Sequence, residues 1–235
     1  MSISTKDTIY TSVPGQDPIP LIEYYEDFRG YYPNCELNTK TWFVDNIQRD
    51  WVILDCGANI GYYSVLFSRQ APAGHVYAIE PTSTADMLRK NLAHNQTENV
   101  SVHEIALGRQ TGDIQDGIFR VWGREAETQT YPFMTLDAFV EQNAIPRVDC
   151  IKIDVDSFDL EVLQGSVRTM RDYNPWIVVE LNHALAVRQQ SVPEALFWLN
   201  EQGYDKALVV DNENFVLKRG VDPTEKATQS LTLFR

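Results

Sequence analysis

Glycines and an acidic side chain follow the first strong apolar run of the sequence. The segment from Leu54 to Tyr63 has the sequence Leu-Asp-Cys-Gly-Ala-Asn-Ile-Gly-Tyr-Tyr, with Gly57 and Gly61 after the acid Asp55. Glycine permits a tight turn and a close approach of backbone to ligand, and the first amides of the following helix attract negative groups. The pattern predicts a ligand site that offers both an acid and free backbone amides.

These glycines do not form the G-x-G-x-x-G pattern of a dinucleotide-binding loop. A pattern that starts at Gly57 would place Asn59 and Tyr62 at the second and third glycine positions. An acid at Asp55 also suits an ammonium group better than a pyrophosphate. A nicotinamide-dependent oxidoreductase therefore stays open only as a less favoured alternative.

A second acid, Glu80, ends the next apolar run and is followed by Pro81. A carboxylate at the end of the second strand of an α/β fold can accept hydrogen bonds from two ribose hydroxyls. An ammonium group, a carboxylate at a helix N-terminus and a ribose together describe S-adenosylmethionine, which we expect as cofactor and methyl donor. Simpler roles remain open: turn glycines, an Asp55 that only caps the helix, and a Glu80 that is a solvated strand end.

Polar residues that end two later strands are the candidates for catalysis. Methyl transfer from a sulfonium is an in-line displacement that depends on alignment, and a base that takes the proton of an alcohol acceptor would help. Asp154, Glu180 and His183 are predicted to serve here, with His183 as the base because histidine titrates near neutrality. An exposed loop histidine is the equal alternative, and Glu180 could orient an imidazole, hold an acceptor hydroxyl or bond to backbone amides.

Two further roles involve the same strand ends. Asp154, Glu180 and Asn182 could supply oxygen ligands to Mg²⁺. The metal is possible but not favoured, because hard cations usually draw on more carboxylates, and no residue is assigned as a metal ligand. Lys152 is expected to neutralise Asp156 or Glu180 rather than to pair with a carboxylate in the site.

The order of apolar runs and helix-like segments predicts the scaffold. Short apolar runs alternate with helical patterns from residue 51 onwards, which indicates a parallel sheet covered on both faces. Strands are predicted at residues 51–56, 75–80, 100–105, 149–154, 176–180, 206–210, 214–217 and 228–234. Helices are predicted at residues 37–47, 60–70, 83–94, 135–142, 158–171 and 193–202, with a turn or hairpin at 108–123. The fold class is α/β, a Rossmann-like doubly wound, mostly parallel sheet with one antiparallel edge.

Composition limits the partners. The chain has 235 residues and a formal net charge of -13, which repels phosphate backbones and anionic lipid, so we expect no nucleic acid partner. The three cysteines, Cys35, Cys56 and Cys150, have no metal or disulfide spacing and are expected in the core of a cytoplasmic protein. The sequence shows no apolar stretch long enough for a membrane span and leaves the oligomeric state open.

Several segments together resemble the FkbM-type methyltransferases, most specifically the block Ile151–Gly165. The segments are Leu54–Tyr63, Ile79–Pro81, Ala106–Gly108, Thr135–Asp137 and Ile151–Gly165. The resemblance covers about residues 30–185 and implies a class I methyltransferase that O-methylates hydroxyls of sugars or polyketide-like natural products. One departure concerns the block after the fourth strand, where the family commonly has Asp-Val-Glu-Gly and this chain has Asp-Val-Asp156-Ser157.

The resemblance also implies roles for individual residues. By position, Asp55, Gly57, Asn59 and Gly61 would line the methionine part of the cofactor, and Glu80 would bind the ribose. The adenine would lie against Ala106 and Leu107, and Ala58 and Pro81 are included with the cofactor-binding loops. The departure at residues 156–157 makes the acceptor-side geometry of relatives a less safe guide to this chain.

We therefore expect one domain, in which residues 1–50 form an N-terminal arm and helical cap and residues 51–235 bind S-adenosylmethionine. Residues 1–20 are expected to be a loose arm, and the aromatic residues 24–32 to pack on the sheet or to cover a ligand. The expected acceptor is a small molecule or glycan, either a sugar or a secondary metabolite. A non-catalytic cofactor-binding or scaffold protein of the same fold is the main alternative.

Overall fold

The structure, a computed structural model, describes residues 7–118, 125–224 and 232–233. Its strands are β1 (Thr8–Thr11), β2 (Ile19–Ile22), β3 (Val52–Cys56), β4 (His75–Ile79), β5 (Val100–His103), β6 (Ala106–Leu107), β7 (Gly112–Ile118), β8 (Glu127–Met134), β9 (Cys150–Ile153), β10 (Trp176–Glu180), β11 (Ala207–Val210), β12 (Asn214–Leu217) and β13 (Thr232–Leu233). Its α-helices are α1 (Phe28–Tyr31), α2 (Leu37–Asn46), α3 (Tyr62–Gln70), α4 (Ala85–His94), α5 (Leu136–Gln142), α6 (Asp159–Gln164), α7 (Val167–Tyr173) and α8 (Val192–Glu201). Short 3-10 helices lie at Tyr32–Asn34 and His183–Arg188.

Across the described residues, eight strands form the central sheet in the order β13-β11-β12-β10-β9-β3-β4-β5. The five strands β10, β9, β3, β4 and β5 run parallel to one another. Strand β12 lies between β10 and β11 and is antiparallel to both. The chain proceeds outward from β3 to β5 and then returns to β9 on the other side of β3. This reversal makes the carboxyl ends of β3 and β9 the expected ligand crevice. The predicted α/β class with an antiparallel edge is confirmed.

Neighbouring residues of the central strands enter cores on opposite faces of the sheet. Leu54 and Ile153 pack in one core, whereas Ile53 and Val178 pack in the other. Both faces are covered, so apolar residues are needed at nearly every position of these strands. The continuous apolar runs of the sequence have this cause.

The same alternation brings the polar ends of three strands to one face. Asp55 of β3 and Lys152 of β9 are register partners, and Lys152 is paired with Val178 of β10. Glu180 lies two residues beyond Val178 and therefore points to the same side. The fold thus places an acid, a lysine and a second acid side by side.

The N-terminal segment is more ordered than its composition suggests. The loose arm expected for residues 1–20 is wrong for residues 7–20, because β1 and β2 pair as an antiparallel hairpin. Its alternate residues Ile19 and Leu21 are fully buried, and the Ile22 amide donates to the Asn91 side chain of α4 at 2.8 Å. Only alternate side chains of the hairpin are buried, so its overall composition stays polar. Residues 1–6 lie outside the described range.

A turn of the distant sheet edge holds the start of α2. Asp211, between β11 and β12, accepts hydrogen bonds from the Thr39 amide at 2.8 Å and from the Thr39 hydroxyl at 2.9 Å. A carboxylate at this position satisfies amides that lack a partner within the helix. This cap fixes the place of Glu36, which directly precedes α2.

Three predicted elements differ in extent. The helix expected at 158–171 is two helices, α6 and α7, because the chain turns at Gly165, where a Cβ would lie 2.2 Å from the Gly108 carbonyl oxygen. The hairpin expected at 108–123 forms between β7 and β8, although residues 119–124 lie outside the described range. Of the strand expected at 228–234, only Thr232–Leu233 is described, and it pairs with β11.

The remaining expectations about the scaffold concern cysteines and membranes. Cys35, Cys56 and Cys150 are buried free thiols, as predicted. Among the helices of the described ranges, none combines the length and the apolar character that a membrane crossing requires.

Gly57→Ala should destabilise the fold more than Gly61→Ala. The two glycines have φ values of +80° and +91°, so an alanine is strained similarly at either position, by roughly 1–2 kcal/mol. A Cβ on Gly57 would lie 1.8 Å from the Asp154 carbonyl oxygen, whereas on Gly61 the nearest atom is the side-chain end of Leu88 at 2.3 Å. Urea denaturation should show that Gly57→Ala lowers the free energy of unfolding by about 3 kcal/mol or more, and Gly61→Ala by about 1–2 kcal/mol. Equal losses of stability in the two variants would contradict the inference that residue 57 must be glycine because it lies close to the Asp154 carbonyl.

Candidate active site

A narrow cleft and a wide cavity meet at the carboxyl ends of β3 and β9. Gly57, Asn59, Asp154 and Asp156 line both of them, so these residues form their junction. From the junction the cleft extends over β4 and β6, and the cavity extends over β10 and the N-terminal segment. The cavity has a volume of about 630 Å³, which is within the usual range for small-molecule sites.

The cleft has the character of a nucleoside site. Beyond the junction its walls are mainly apolar and include a single acid: Ile79, Glu80, Pro81, Ile105, Ala106, Leu107, Ile118, Val155 and Phe158. The structure thus brings together Glu80, Pro81, Ala106 and Leu107, as the sequence predicted. An apolar slot beside one carboxylate suits a flat base attached to a hydroxyl-bearing sugar.

Glu80 is held firmly at the edge of the cleft. One carboxylate oxygen accepts from the Asn59 amide at 3.0 Å, and the other accepts from the Thr82 amide at 3.0 Å and the Thr82 hydroxyl at 2.6 Å. The side chain is buried, so the alternative of a solvated strand end is wrong. Burial raises the pKa of Glu80 to about 7, although these hydrogen bonds oppose the rise. An ionised carboxylate accepts about four hydrogen bonds, which leaves capacity for a ligand hydroxyl.

Asp55 has one carboxylate oxygen that accepts no hydrogen bond from any residue that the structure describes. It is fully buried and lines the cavity, and its Oδ2 accepts from the Ser64 hydroxyl at 2.5 Å. Its Oδ1 has no hydrogen-bond partner among the described residues. Burial raises the pKa of Asp55, while Lys152 and Ser64 oppose this change. Asp55 bonds to a side chain within α3 rather than to the first amides of that helix, so a plain helix cap does not explain it.

The first residues of the glycine loop after β3 line the cavity, whereas its last glycine does not. Gly57, Ala58 and Asn59 line the cavity, and Asn59 has a left-handed φ of +50° that directs its amide to Glu80. Gly61 lines neither the cleft nor the cavity. A Cβ at this position would meet Leu88 of α4, so Gly61 allows close helix packing, and its contact with the cofactor stays a prediction.

Lys152 forms the central ion pair of the site. Its Nζ lies 2.9 Å from Asp154 Oδ2, and the lysine side chain is 2% exposed. The expectation that Lys152 neutralises Asp156 or Glu180 is wrong, because its salt bridge is with Asp154. Burial alone would lower the pKa of Lys152, but neighbouring carboxylates led by Asp154 and Asp55 outweigh burial and raise it.

Asp154 and Glu180 share one proton. The negative charge of Asp154 and burial raise the pKa of Glu180, and the two side chains are hydrogen bonded. Burial opposes ionisation of Asp154, but Lys152 and Glu180 together lower its pKa. At neutral pH the geometry therefore favours a protonated Glu180 that donates to an ionised Asp154. Glu180 also accepts from the Asn182 side chain at 2.7 Å.

His183 lies in the cavity wall and is exposed. Within the described ranges it has no hydrogen bond or ion pair, and in particular none to Glu180. The oxygen of Asn182 accepts from the Ala184 amide at 2.8 Å, so it is already engaged. No group of three histidine, cysteine or acidic residues suited to a metal ion occurs in the part of the chain that the structure describes.

Two acids of the cavity were missed by the sequence reasoning. Glu36 accepts from the Tyr62 hydroxyl and from Asn214 Nδ2, the latter at 3.1 Å. Glu213 accepts from Asn182 Nδ2 at 3.2 Å. A signal existed for Glu213, because it precedes a strand that runs antiparallel to β10 and so starts beside the end of β10. Nothing in the local sequence points Glu36 towards the site.

The fold and the site together define a class I methyltransferase, and solved structures of this class share the fold. The sequence profile described as the Methyltransferase FkbM domain matches residues 55–206. The chain therefore belongs to the FkbM methyltransferase family.

The relatives are distant and differ in length. The hexuronic acid methyltransferase AglP of Haloferax volcanii is 27% identical over 148 residues, which are 59% of this chain and 59% of AglP. Methyltransferase 1 of Beauveria bassiana is 24% identical over 171 residues, 60% of this chain and 69% of the relative. The methyltransferase FkbM from Methylobacillus flagellatus has a TM-score of 0.55 at 17% identity, over 74% of this chain and 44% of that one. A Streptococcus mutans protein solved with SAH has a TM-score of 0.52 at 10% identity, and the match covers 79% of this chain and 98% of that one.

Glu80→Gln should change how stability depends on pH. A carboxyl whose folded pKa is about 7 instead of 4.5 keeps its proton in the folded state after the unfolded chain has lost it. The contribution of this group to stability is therefore full below pH 4.5 and is lost as the pH rises to about 7. Between pH 5 and 7.5, urea denaturation should show that the glutamine variant loses less stability than the unmodified protein, by roughly 1–3 kcal/mol. Identical pH slopes would contradict a buried, protonated Glu80.

Proposed function

We propose that this methyltransferase uses S-adenosylmethionine to methylate a hydroxyl of a sugar, glycan or secondary metabolite. The observation that carries the proposal is the junction of the cleft and the cavity at Gly57, Asn59, Asp154 and Asp156. A donor with its nucleoside in the cleft would present its methyl group at this junction and extend its methionine end to Asp55 at the edge of the cavity, and an acceptor would approach through the rest of the cavity. In-line displacement requires this opposed arrangement.

The residues present fit the cofactor. Glu80 would accept from the ribose hydroxyls, Ala106 and Leu107 would pack on the adenine, and the free oxygen of Asp55 would accept from the methionine ammonium group. Gly57 would let the backbone pass close to the methionine part. When bound, S-adenosylmethionine supplies an electrophilic methyl group on a sulfonium.

The side chains of the chain would then position the acceptor and accept its proton. Asp154 is held ionised by Lys152, so it would accept a hydrogen bond from an acceptor hydroxyl and orient its oxygen. A carboxylate with a lowered pKa is a weak base, and we propose His183 for proton removal. His183 lines the same cavity, and histidine is the side chain that most often serves as a general base in enzymes.

The relatives support the chemical class of the acceptor. One of them is named a hexuronic acid methyltransferase, which favours a sugar-type acceptor for this chain. A scaffold protein without turnover would have no need of a cavity that opens on the donor cleft. The oxidoreductase alternative requires a dinucleotide loop that the segment from Gly57 to Tyr62 does not form.

Calorimetric titration with S-adenosylhomocysteine, with NADH as the comparison ligand, tests the cofactor assignment. We expect micromolar binding of S-adenosylhomocysteine alone. Glu80→Ala should weaken this affinity by roughly 1–3 kcal/mol, because it removes the ribose acceptor. Unchanged affinity in the variant would remove Glu80 from the site, and binding of NADH alone would overturn the methyltransferase cofactor assignment.

Variants of the cavity wall separate proton removal from positioning. His183→Ala should lower kcat roughly 10²-fold or more and leave the affinity for S-adenosylhomocysteine nearly intact. Glu180→Gln should change kcat less, because glutamine still donates a hydrogen bond to Asp154. Full activity of His183→Ala would show that the base lies elsewhere, and complete loss of activity in EDTA would favour the metal alternative.

A further inference from the structure

The wide cavity contains more acidic groups than the methyl donor would use. Asp55 and Asp154 lie beside the loop assigned to the donor. Glu36 and Glu213 line the cavity but not the cleft, and they come from the start of α2 and from the turn before β12. Lys152 is the only lysine or arginine among the described lining residues, and it is bound to Asp154.

The carboxylates of Glu36 and Glu213 are oriented by neutral groups. Glu36 accepts from the Tyr62 hydroxyl and the Asn214 amide, and Glu213 accepts from the Asn182 amide. Neither acid forms a salt bridge within the described ranges. Asn214 directly follows Glu213 and donates to Glu36, so the two carboxylates lie on the same part of the wall. Their hydrogen bonds fix their positions. The charge of Glu36 also acts on Lys152, whose pKa it helps to raise, but that lysine is already paired with Asp154.

An aromatic wall adjoins these acids. Tyr31, Tyr32 and Tyr62 all line the cavity, with ring centroids 5.1 Å apart between Tyr31 and Tyr32 and 5.8 Å apart between Tyr32 and Tyr62. Aromatic faces attract ammonium groups, and the attraction is larger where water is excluded. The ammonium group of Lys40 lies over the Tyr62 ring, 5.3 Å from its centroid, so this wall already attracts one cation of the chain. Carboxylates beside the rings of Tyr31 and Tyr32 suit an organic cation better than an anion.

We propose that the acceptor carries an ammonium group, as amino sugars and amino alcohols do, and that Glu36 and Glu213 bind it. This inference rests on the proposed function. Because Glu36 and Glu213 come from the start of α2 and the turn before β12, and not from the strand and glycine loop assigned to the donor, an ammonium group bound to them would leave a hydroxyl free to lie beside Asp154. A hexuronate would bring its own carboxylate among these acids and would be disfavoured. The acceptor would thus differ in charge from the one in the name of AglP.

Binding to the complex with S-adenosylhomocysteine tests the charge of the acceptor. The probes are methyl glucosaminide, methyl glucoside and methyl glucuronide, as monosaccharides and as the corresponding disaccharides, added to protein saturated with S-adenosylhomocysteine. Calorimetry should give at least tenfold tighter binding of the amino glycoside than of the neutral one, with the glucuronide weakest. Added NaCl should weaken binding of the amino glycoside most.

Matched variants test whether Glu36 and Glu213 cause the tighter binding of the amino glycoside. In Glu213→Gln one oxygen can still accept from Asn182, and in Glu36→Gln one oxygen can still accept from Tyr62 while the side-chain amide of Asn214 can turn its oxygen towards the new NH2. Each variant should therefore fold and should weaken binding of the amino glycoside at least fivefold. Glu201→Gln removes the same charge from an exposed position of α8 and should leave that binding unchanged. An equal loss in Glu201→Gln would assign the preference to overall charge and overturn the proposed site.

The outcomes distinguish this proposal from the one on which it rests. If S-adenosylhomocysteine binds and the amino glycosides bind no better than the neutral ones, or do not bind, the acceptor charge is wrong and the methyltransferase assignment stands. If S-adenosylhomocysteine itself fails to bind, the cofactor assignment is wrong, and the proposal of an ammonium-bearing acceptor is rejected as well.

Discussion

One buried ammonium group, that of Lys152, makes the acidic end of the sheet possible. Asp55 is fully buried in β3 and Asp154, partly buried, directly follows β9, and carboxylates withdrawn from water are costly unless a counterion or hydrogen bonds compensate them. Lys152 is the register partner of Asp55 and the ion-pair partner of Asp154, and its Nζ lies 4.7 Å from the ring centroid of Tyr63. Without this cation the acids would take up protons, and the site would lose the fixed charge that orients a ligand.

The position of the lysine also makes neighbouring acids unequal. It lies against Asp154 and not against Glu180, so one carboxyl of this pair is ionised and the other holds the proton. Two ionised acids would repel each other at this distance, whereas this pair holds one proton, which Glu180 donates to Asp154, and the ionised Asp154 can still accept a hydrogen bond from a ligand. The asymmetry follows from strand order, because β9 lies between β3 and β10, contains Lys152 and is followed directly by Asp154.

The sequence predicts the parts of the site that local patterns determine. The apolar run before Asp55, the glycine at residue 57 and the acid at Glu80 each mark a strand end, and parallel strand ends meet at one edge. The partner of Lys152 was mispredicted because side-chain pairing depends on burial and on distances that periodicity does not contain.

Site residues from distant elements were not predicted from the sequence, for a related reason. Glu36 enters the cavity only because the turn before β12 caps α2 through Asp211, a contact across 172 residues of sequence. Gly61 was assigned to the cofactor because glycine spacing alone does not distinguish a ligand contact from a helix contact. In the structure Leu88 fills the space where a side chain at residue 61 would be, so a helix contact alone already requires glycine there.

The departure from the family pattern at Ser157 is compensated within its own loop. Ser157 has a φ of +87°, a conformation natural to glycine that costs another residue roughly 1–2 kcal/mol. The Asp159 carboxylate accepts from the amides of Val155 at 3.0 Å and Ser157 at 3.1 Å, and Arg188 donates to the Ser157 hydroxyl at 3.3 Å. Val155 lines the cleft, so the bonds that offset the strain also hold a wall of the site. The loss of the glycine therefore gives no reason to favour a scaffold over an enzyme.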